Sequence, residues 1–167
     1  MANTEDNLKA AFAGESQAST RYLAFARKAE QEGHPRAAKL FRAASTAETV
    51  HARNHLETMD GVKSTEENLK EAIAGENHEH VEMYPGFIEQ AEKERKPKAV
   101  RTFDWARKVE IAHESLYKSV LDALQGGGEP EVKDYYVCQV CGFTAEGGVP
   151  DKCPVCGAPA KQFMKVA

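Results

Sequence analysis

The sequence lacks a long apolar stretch and a strong excess of charge of either sign. No apolar run approaches the ~20 residues that a membrane-spanning helix needs, and the mean hydropathy of the 167 residues is −0.58. The formal net charge of −4 argues against the strongly basic surface that binds nucleic acid or an anionic membrane. The first residues are polar and acidic, so no signal peptide is predicted. We therefore expect a cytoplasmic globular protein.

Cysteine is absent from most of the chain, because all four cysteines lie in the last 30 residues. They form two Cys-x-x-Cys pairs, Cys138 with Cys141 and Cys153 with Cys156, and each pair is followed by glycine. Without an export signal, this spacing indicates a closed four-thiolate metal site rather than disulfides. A module of about 40 residues has little core, so its metal must supply much of its stability. The spacing leaves two metals open: zinc in a structural ribbon, or iron in a one-electron centre.

Apolar residues recur at helical spacing through the first 125 residues, and glycine and proline mark the breaks. The predicted first helix runs from Asn3 or Thr4 to about Glu32, and the second from Pro35 to about Asp60. The third starts at the capping box Ser64-Thr-Glu-Glu67, and the fourth runs from Pro97 to Gly126. We predict an all-α four-helix bundle over residues 1–125, composed of hairpins 3–60 and 64–125. A linker over 126–134 and a metal-binding domain over 135–167 follow.

The two predicted hairpins are related by an internal duplication. From Leu8 to Glu15, residues recur at an offset of 61, but from Tyr22 onward the matches need an offset of 62. The third helix therefore carries one extra residue between Glu76 and Tyr84. An extra residue in a continuous helix is usually absorbed as a π-bulge, and such bulges favour functional sites. We predict that the bulge turns Glu79 inward, since neither offset pairs it with a glutamate in the first hairpin.

A Glu-x-x-His motif occurs twice, at Glu48 to His51 and, 62 residues later, at Glu110 to His113. Residues three apart share one face of a helix, so each pair can bind one metal ion. Ferritin-like di-iron bundles combine two such motifs with one glutamate from each of the other two helices. Glu15 and Glu76 are repeat-related candidates for these positions, and Glu79 is an extra one. One glutamate alone is readily explained as an exposed residue, but the repeated set predicts an oxygen-rich site for iron or manganese.

The remaining histidines and two tyrosines have alternative interpretations. His55 lies four residues after His51, which suggests a zinc-type pair, but its repeat partner is Tyr117 and we interpret it as a packing or surface residue. His78 and His80 flank Glu79 and are predicted to point elsewhere. Tyr22 and Tyr84 are repeat-related, and each is either an ordinary core tyrosine or a hydrogen-bond partner of a metal-bound carboxylate.

Together these motifs resemble the rubrerythrin family, in which a ferritin-like di-iron bundle precedes a rubredoxin-like domain. The resemblance spans nearly the whole chain, from Ala-Gly-Glu15-Ser to the ending Cys-Pro-x-Cys-Gly-Ala-Pro. It implies a di-iron site and a single iron on four cysteines, although zinc can occupy either site in purified protein. It also implies that Tyr22 and Tyr84 hydrogen-bond around the di-iron site. The implied ligands are Glu15, Glu48, His51, Glu76, Glu79, Glu110 and His113, with Cys138, Cys141, Cys153 and Cys156 for the single iron.

The activity that the resemblance implies is reduction of hydrogen peroxide to water in defence against oxidative stress. Its electrons would come through the rubredoxin-like iron from an external donor, such as rubredoxin and its NAD(P)H-linked reductase. The alternative is a ferroxidase-type protein that handles iron or oxygen and carries a structural zinc ribbon as its tail. A redox sensor is a weaker reading, because the sequence contains no DNA-binding or partner-binding module.

The connection between the second and third helices is too short for a bundle made by one chain. These two helices run parallel in a ferritin-like bundle, so their connection must cross its whole length. A helix of ~25 residues is about 37 Å long, whereas the roughly six connecting residues reach about 21 Å when extended. We therefore predict a helix-swapped homodimer, in which each bundle combines the first hairpin of one chain with the second hairpin of the other.

Overall fold

The computed structural model describes residues 3–128 and 131–166. Helices occupy most of the chain before the linker, and short strands follow it. The chain divides into two compact units between Lys63 and Ser64. The elements are α1 (Thr4–Gln31), α2 (Pro35–Thr58), α3 (Thr65–His78), a π segment (Glu79–Met83), α4 (Tyr84–Lys93), α5 (Pro97–Gln125), β1 (Tyr135–Cys138), β2 (Thr144–Glu146) and β3 (Phe163–Lys165).

The first unit is a hairpin of α1 and α2. The Asn3 side chain accepts a hydrogen bond from the backbone N–H of Asp6 at 2.8 Å, which completes the first turn of α1. Gly33 takes a positive φ of 77° after α1, and Pro35 begins α2. Alanines such as Ala26, Ala29 and Ala38 are buried between the helices, since their small side chains allow close packing.

The second unit contains a matching hairpin, in which α3, the π segment and α4 pack against α5. Ser64 begins it with the predicted capping box. The duplication is visible in three dimensions, because each hairpin has the same cluster of three aromatic rings. The centroids of Phe25 and Phe41 are 5.6 Å apart, and so are those of Phe87 and Phe103. Tyr22 and Tyr84 complete the two clusters.

The predicted π-bulge is confirmed. Residues Glu79–Met83 form a π-helical segment between α3 and α4, and the N–H of Tyr84 bonds to the carbonyl of Glu79 five residues earlier. The segment lies within the interval where the repeat offset changes from 61 to 62. The extra residue is therefore absorbed without ending the helix, and its position coincides with the candidate ligand Glu79.

The tail after the linker is a small antiparallel sheet of strand order β2-β1-β3. Tyr136 pairs with Ala145 on one side and with Lys165 on the other. The sheet also contacts α5 through β2. None of the described helices is long and apolar enough to span a bilayer. The expected helical domain and small cysteine-bearing strand domain are both present, whereas the predicted boundaries at residues 125 and 135 stay predictions.

Candidate metal centres

The four cysteines meet at one point in the tail. All four thiols are free, and each offers a sulfur within 4.8 Å of the other three. The sulfurs of Cys138 and Cys156 are 3.7 Å apart, and those of Cys141 and Cys153 are 3.5 Å apart. Each pair lies on a turn that closes with an N–H···O bond of 2.9 Å, from Gly142 to Cys138 and from Gly157 to Cys153. This is the donor set of a closed four-thiolate site for iron or zinc.

The pKa values of the cysteine thiols differ, and a bound cation would favour the thiolate form of all four. Burial raises the pKa of Cys141 well above its ordinary value, and it also raises the pKa of Cys156. Burial opposes ionisation of Cys138 too, but the N–H groups of Val140 and Cys141 point at its sulfur and lower its pKa overall. Four thiolates this close together repel one another, so a bound cation is what allows all of them to deprotonate. The residues present fit a metal.

Glu15, Glu48 and His51 form a cluster in the first unit. Glu15 lies on α1, and Glu48 and His51 lie on α2, with one donor atom of each within 4.8 Å of the others. The Nδ1 atom of His51 is 2.8 Å from a carboxylate oxygen of Glu48 and 4.0 Å from one of Glu15. The three-residue spacing on α2 therefore brings the carboxylate and the imidazole together, as the sequence predicted.

Glu76, Glu110 and His113 form the repeat-related cluster in the second unit. The Nδ1 atom of His113 is 2.8 Å from Glu110 and 3.6 Å from Glu76, close to the distances in the first unit. Burial and the neighbouring Glu110 raise the pKa of Glu76 to about 7. The hydrogen bond from His113 to Glu110 raises the pKa of His113, although burial opposes this. Carboxylates crowded together without a counter-charge are the arrangement that a divalent cation stabilises.

Glu79 and Tyr84 lie beside the second cluster but outside its set of adjacent donor atoms. Burial raises the pKa of Glu79, and the charge of Glu110 raises it further, so the two carboxylates interact. Tyr84 also has a raised pKa, caused first by burial and then by Glu79 and Glu110. The hydroxyl groups of Tyr22 and Tyr84 form no hydrogen bond with any residue in the described ranges, 3–128 and 131–166. The roles of Glu79 as a ligand and of both tyrosines stay predictions.

The structure contains a buried ion cluster that the sequence analysis missed. Glu114 on α5 is 8% exposed, and its carboxylate is 2.6 Å from His80 Nε2, 2.6 Å from Lys118 Nζ and 3.1 Å from Asn77 Nδ2. Hydrogen bonds from Lys118 and then from His80 lower the pKa of Glu114 to about 2, against the effect of burial. The cluster joins α5 to the π segment, because His80 lies within that segment. One signal was available: Glu114 replaces Ala52 of the first hairpin.

A second missed contact links the tail to the second cluster. The Nε2 atom of His113 lies 2.9 Å from the hydroxyl oxygen of Thr144, the first residue of β2. No sequence pattern predicts this contact, because it depends on how the sheet packs against α5. The histidines expected not to be ligands, His55, His78 and His80, belong to none of the donor groups found in the described chain.

Comparison with known proteins identifies both parts of the chain. A family model described as rubrerythrin matches residues 6–121, and one described as the rubredoxin-like domain of rubrerythrin matches residues 136–164. Rubrerythrin-2 of Clostridium acetobutylicum is 33% identical, over 98% of this chain and 96% of its own length. A putative rubrerythrin of Methanocaldococcus jannaschii is 36% identical, over 98% and 92%.

A solved structure gives the same result. Nigerythrin in a mixed-valence state aligns with a TM-score of 0.58 and 32% identity, over 99% of this chain and 88% of its own. Other solved structures of nigerythrin are described as partially reduced and as fully reduced, all ferrous. The donor sets of this chain, a repeated carboxylate and histidine cluster and four convergent cysteines, fit a di-iron site and a rubredoxin-like site.

Proposed function

Since the chain belongs to the rubrerythrin family, we propose that it is a di-iron peroxidase that reduces hydrogen peroxide to water. The observation that supports this best is the presence of two different donor sets in one chain. A carboxylate and histidine set suits a hard, oxygen-liganded metal pair, and a closed four-thiolate set suits a one-electron iron. A storage protein or a hydrolase has little use for the second set.

Eleven side chains would hold the metals. Iron in these positions would supply the electrons that cleave the O–O bond, two for each peroxide. Five carboxylates with two neutral histidines carry five negative charges, which two divalent cations nearly neutralise. The proposed ligands are Glu15, Glu48, His51, Glu76, Glu79, Glu110 and His113 for the pair, with Cys138, Cys141, Cys153 and Cys156 for the single iron.

The surrounding residues would orient the substrate and its protons. Reduction of one peroxide to two waters consumes two protons. Burial and the charge of Glu79 raise the pKa of Tyr84, so its hydroxyl stays protonated at neutral pH and would donate a hydrogen bond to the peroxide substrate. Tyr22 is its repeat partner in the first hairpin and is proposed to act in the same way. The phenyl rings of Phe25 and Phe87 pack beside these tyrosines, with ring centroids 6.2 Å apart in both hairpins.

The electrons must come from an external one-electron donor, and a rubredoxin with an NAD(P)H-linked reductase is the proposed source. Nigerythrin has been solved in mixed-valence and fully reduced, all-ferrous states. We infer that iron bound by this chain would likewise be held in more than one oxidation state. The cysteines form no disulfide within the described residues, and thiolate ligands need a reducing compartment, so we propose the cytoplasm as its location.

We also propose that the working protein is a helix-swapped homodimer. Among the residues that the structure describes, each unit supplies one carboxylate and histidine cluster, and a di-metal site needs both. Helix α2 has 24 residues, which corresponds to about 36 Å. The connection over residues 59–64 spans about 21 Å at most. The first unit of one chain would therefore complete its site with the second unit of another.

The test is a peroxide titration of protein purified without oxygen and reduced with dithionite. We expect about three irons per chain, and a ferric-thiolate absorbance that dithionite bleaches and peroxide restores. Two variants separate the sites: Glu110→Ala removes a carboxylate ligand, and Cys153→Ser removes a thiolate. In Glu110→Ala the tail absorbance should stay bleached after peroxide, although the tail still binds iron.

The outcome that contradicts the proposal is equally definite. If protein from its native host carries zinc in the tail and consumes peroxide slowly or not at all, the ferroxidase-type alternative is correct. Rapid restoration of the tail absorbance in Glu110→Ala would show that peroxide reacts with the tail directly. Cys153→Ser serves as the converse control, since it should still take up the iron pair but should not sustain turnover with the external donor.

A further inference from the structure

Thr144 is the residue through which the tail contacts the second metal cluster. Its hydroxyl oxygen lies 2.9 Å from Nε2 of His113, and its own hydroxyl is 3.4 Å from the carbonyl oxygen of Gly142. His113 is a proposed metal ligand on α5, and Gly142 directly follows Cys141 in the turn after β1. One threonine side chain therefore touches both metal-binding regions of the second unit.

The geometry assigns a direction to these hydrogen bonds. Nδ1 of His113 faces the carboxylates, at 2.8 Å from Glu110 and 3.6 Å from Glu76, and is therefore the ring atom placed to bind metal. A metal on Nδ1 leaves the ring proton on Nε2, which then donates to the oxygen of Thr144. The hydroxyl proton of Thr144 is left to point at the carbonyl of Gly142. Every donor in this chain of contacts has an acceptor.

The link continues to a thiolate through a short piece of backbone. The N–H of Phe143, the residue before Thr144, hydrogen-bonds to the sulfur of Cys141. From that sulfur to the ring of His113 there are only two hydrogen bonds and the few covalent bonds between Phe143 N and Thr144 Oγ1. All of these atoms belong to one chain and to one compact unit.

The repeat-related histidine of the first unit has no comparable contact. The side chain of His51 is 53% exposed, against 27% for His113. Within the described part of the chain, only the Nδ1 atom of His51 has a hydrogen-bond partner, and Nε2 has none. The duplication therefore produced two similar clusters. Within one chain, the described part of the tail hydrogen-bonds to His113 and not to His51.

We propose that Thr144 is a positioning residue that fixes the ring of His113 and joins the two metal centres within a single chain. Its hydroxyl holds the His113 ring in one orientation and one tautomer, with Nδ1 toward the carboxylates. With iron held in both sites, the same contact would connect the four-thiolate site of a chain to the cluster on α3 and α5 of that chain, and electrons would pass along it. This second part rests on the proposed peroxidase function.

The electron balance is simple. Two one-electron transfers through this link, together with two protons, would reduce one hydrogen peroxide to two waters, and the external donor would restore each electron to the tail. No bond to Thr144 forms or breaks. The residue acts through His113 and not on the substrate, so its removal should alter the ring and the transfer rate without altering the thiolate site.

The first test follows the His113 ring by NMR in full-length protein loaded with zinc, which is diamagnetic. Thr144→Val removes the hydroxyl and keeps the branched shape, and Thr144→Ser is the matched control that keeps the hydroxyl. We expect a slowly exchanging Nε2–H resonance in the wild type and in Thr144→Ser, and its loss in Thr144→Val. We also expect zinc affinity at the carboxylate cluster to fall about 10-fold in Thr144→Val alone, while the four-cysteine site binds as before.

The second test measures electron transfer in iron-loaded, reduced protein after rapid mixing with peroxide. Recovery of the ferric-thiolate absorbance should be about 10-fold slower in Thr144→Val, and normal in Thr144→Ser. A Thr144→Val protein with an unchanged ring resonance and an unchanged recovery rate would overturn the proposal, as would a serine variant as impaired as the valine one. If peroxide fails to restore the wild-type absorbance, the peroxidase function and the electron route are both wrong, while the NMR result still decides the positioning role.

Discussion

The buried carboxylate of Glu114 offers the sharpest test of how the π segment is held in place. Glu114→Gln keeps the size of the side chain, but it removes the charge and replaces one acceptor oxygen with an NH2 donor. The carboxylate of the wild type accepts hydrogen bonds from Lys118, His80 and Asn77. A buried carboxylate that accepts hydrogen bonds from a charged partner is costly to neutralise, because the partner loses its counter-charge.

The lowered pKa of Glu114 sets the size of the stability loss expected in Glu114→Gln. It is lowered from 4.5 to about 2, first by Lys118 and then by His80, which corresponds to about 3 kcal/mol in favour of the charged form at about 1.4 kcal/mol per pKa unit. The Lys118 side chain is 55% exposed, so solvent screens part of this contribution. We therefore expect Glu114→Gln to lower the free energy of unfolding by about 2 kcal/mol at pH 7.

The assay is urea unfolding followed by circular dichroism, on variants with matched metal content. Glu89→Gln is the control, because Glu89 pairs with Lys93 at the same i,i+4 spacing but on an exposed surface, and it should have no measurable effect. The folded pKa of Glu114 lies below its ordinary value, so its stabilisation is complete above pH 4.5 and is lost as the pH falls toward 2. The difference between wild type and Glu114→Gln in metal-free protein should shrink over that range. Equal stability losses in the two variants at pH 7 would refute the reasoning.

Three further predictions concern the metal sites and the assembly. Because the pKa of Glu76 is raised to about 7, metal binding near neutral pH should release protons and weaken as the pH falls below 7, which calorimetry in buffers of different protonation enthalpy will detect. Gly142→Ala should lower the stability of the tail by about 1–2 kcal/mol, because φ is +87° at this position although there is space for a Cβ atom. Chelators should therefore remove the metal of the tail faster from this variant. Gly148→Ala is the control, since Gly148 has the same free space but no positive φ. Light scattering should give a dimer, and a monomer with an intact di-metal site would exclude helix swapping. Mixing a Glu48→Ala chain with a Glu110→Ala chain should restore one of the two sites in a mixed dimer, since both changes then fall in the same bundle.

The sequence alone determined the features that depend on residues close together in the chain. The i,i+3 spacing placed Glu48 beside His51 and Glu110 beside His113, because the helix pitch brings such residues onto one face. Within each Cys-x-x-Cys loop, a turn of a few residues places the two sulfurs on the same side. The change in repeat offset located the π segment, since a helix has few ways to absorb one extra residue.

Only the tertiary structure decided the contacts between distant parts of the chain. Glu114 and His80 are 34 residues apart, and His113 and Thr144 are 31 apart. No local rule pairs them, because each contact depends on which faces of two elements pack together. The repeat gave two similar clusters from similar sequences, but the buried ion cluster and the tail made the second hairpin different from the first. Periodicity and spacing thus determined which donors lie side by side on one helix or turn, whereas long-range packing determined how these groups meet and what holds them in place.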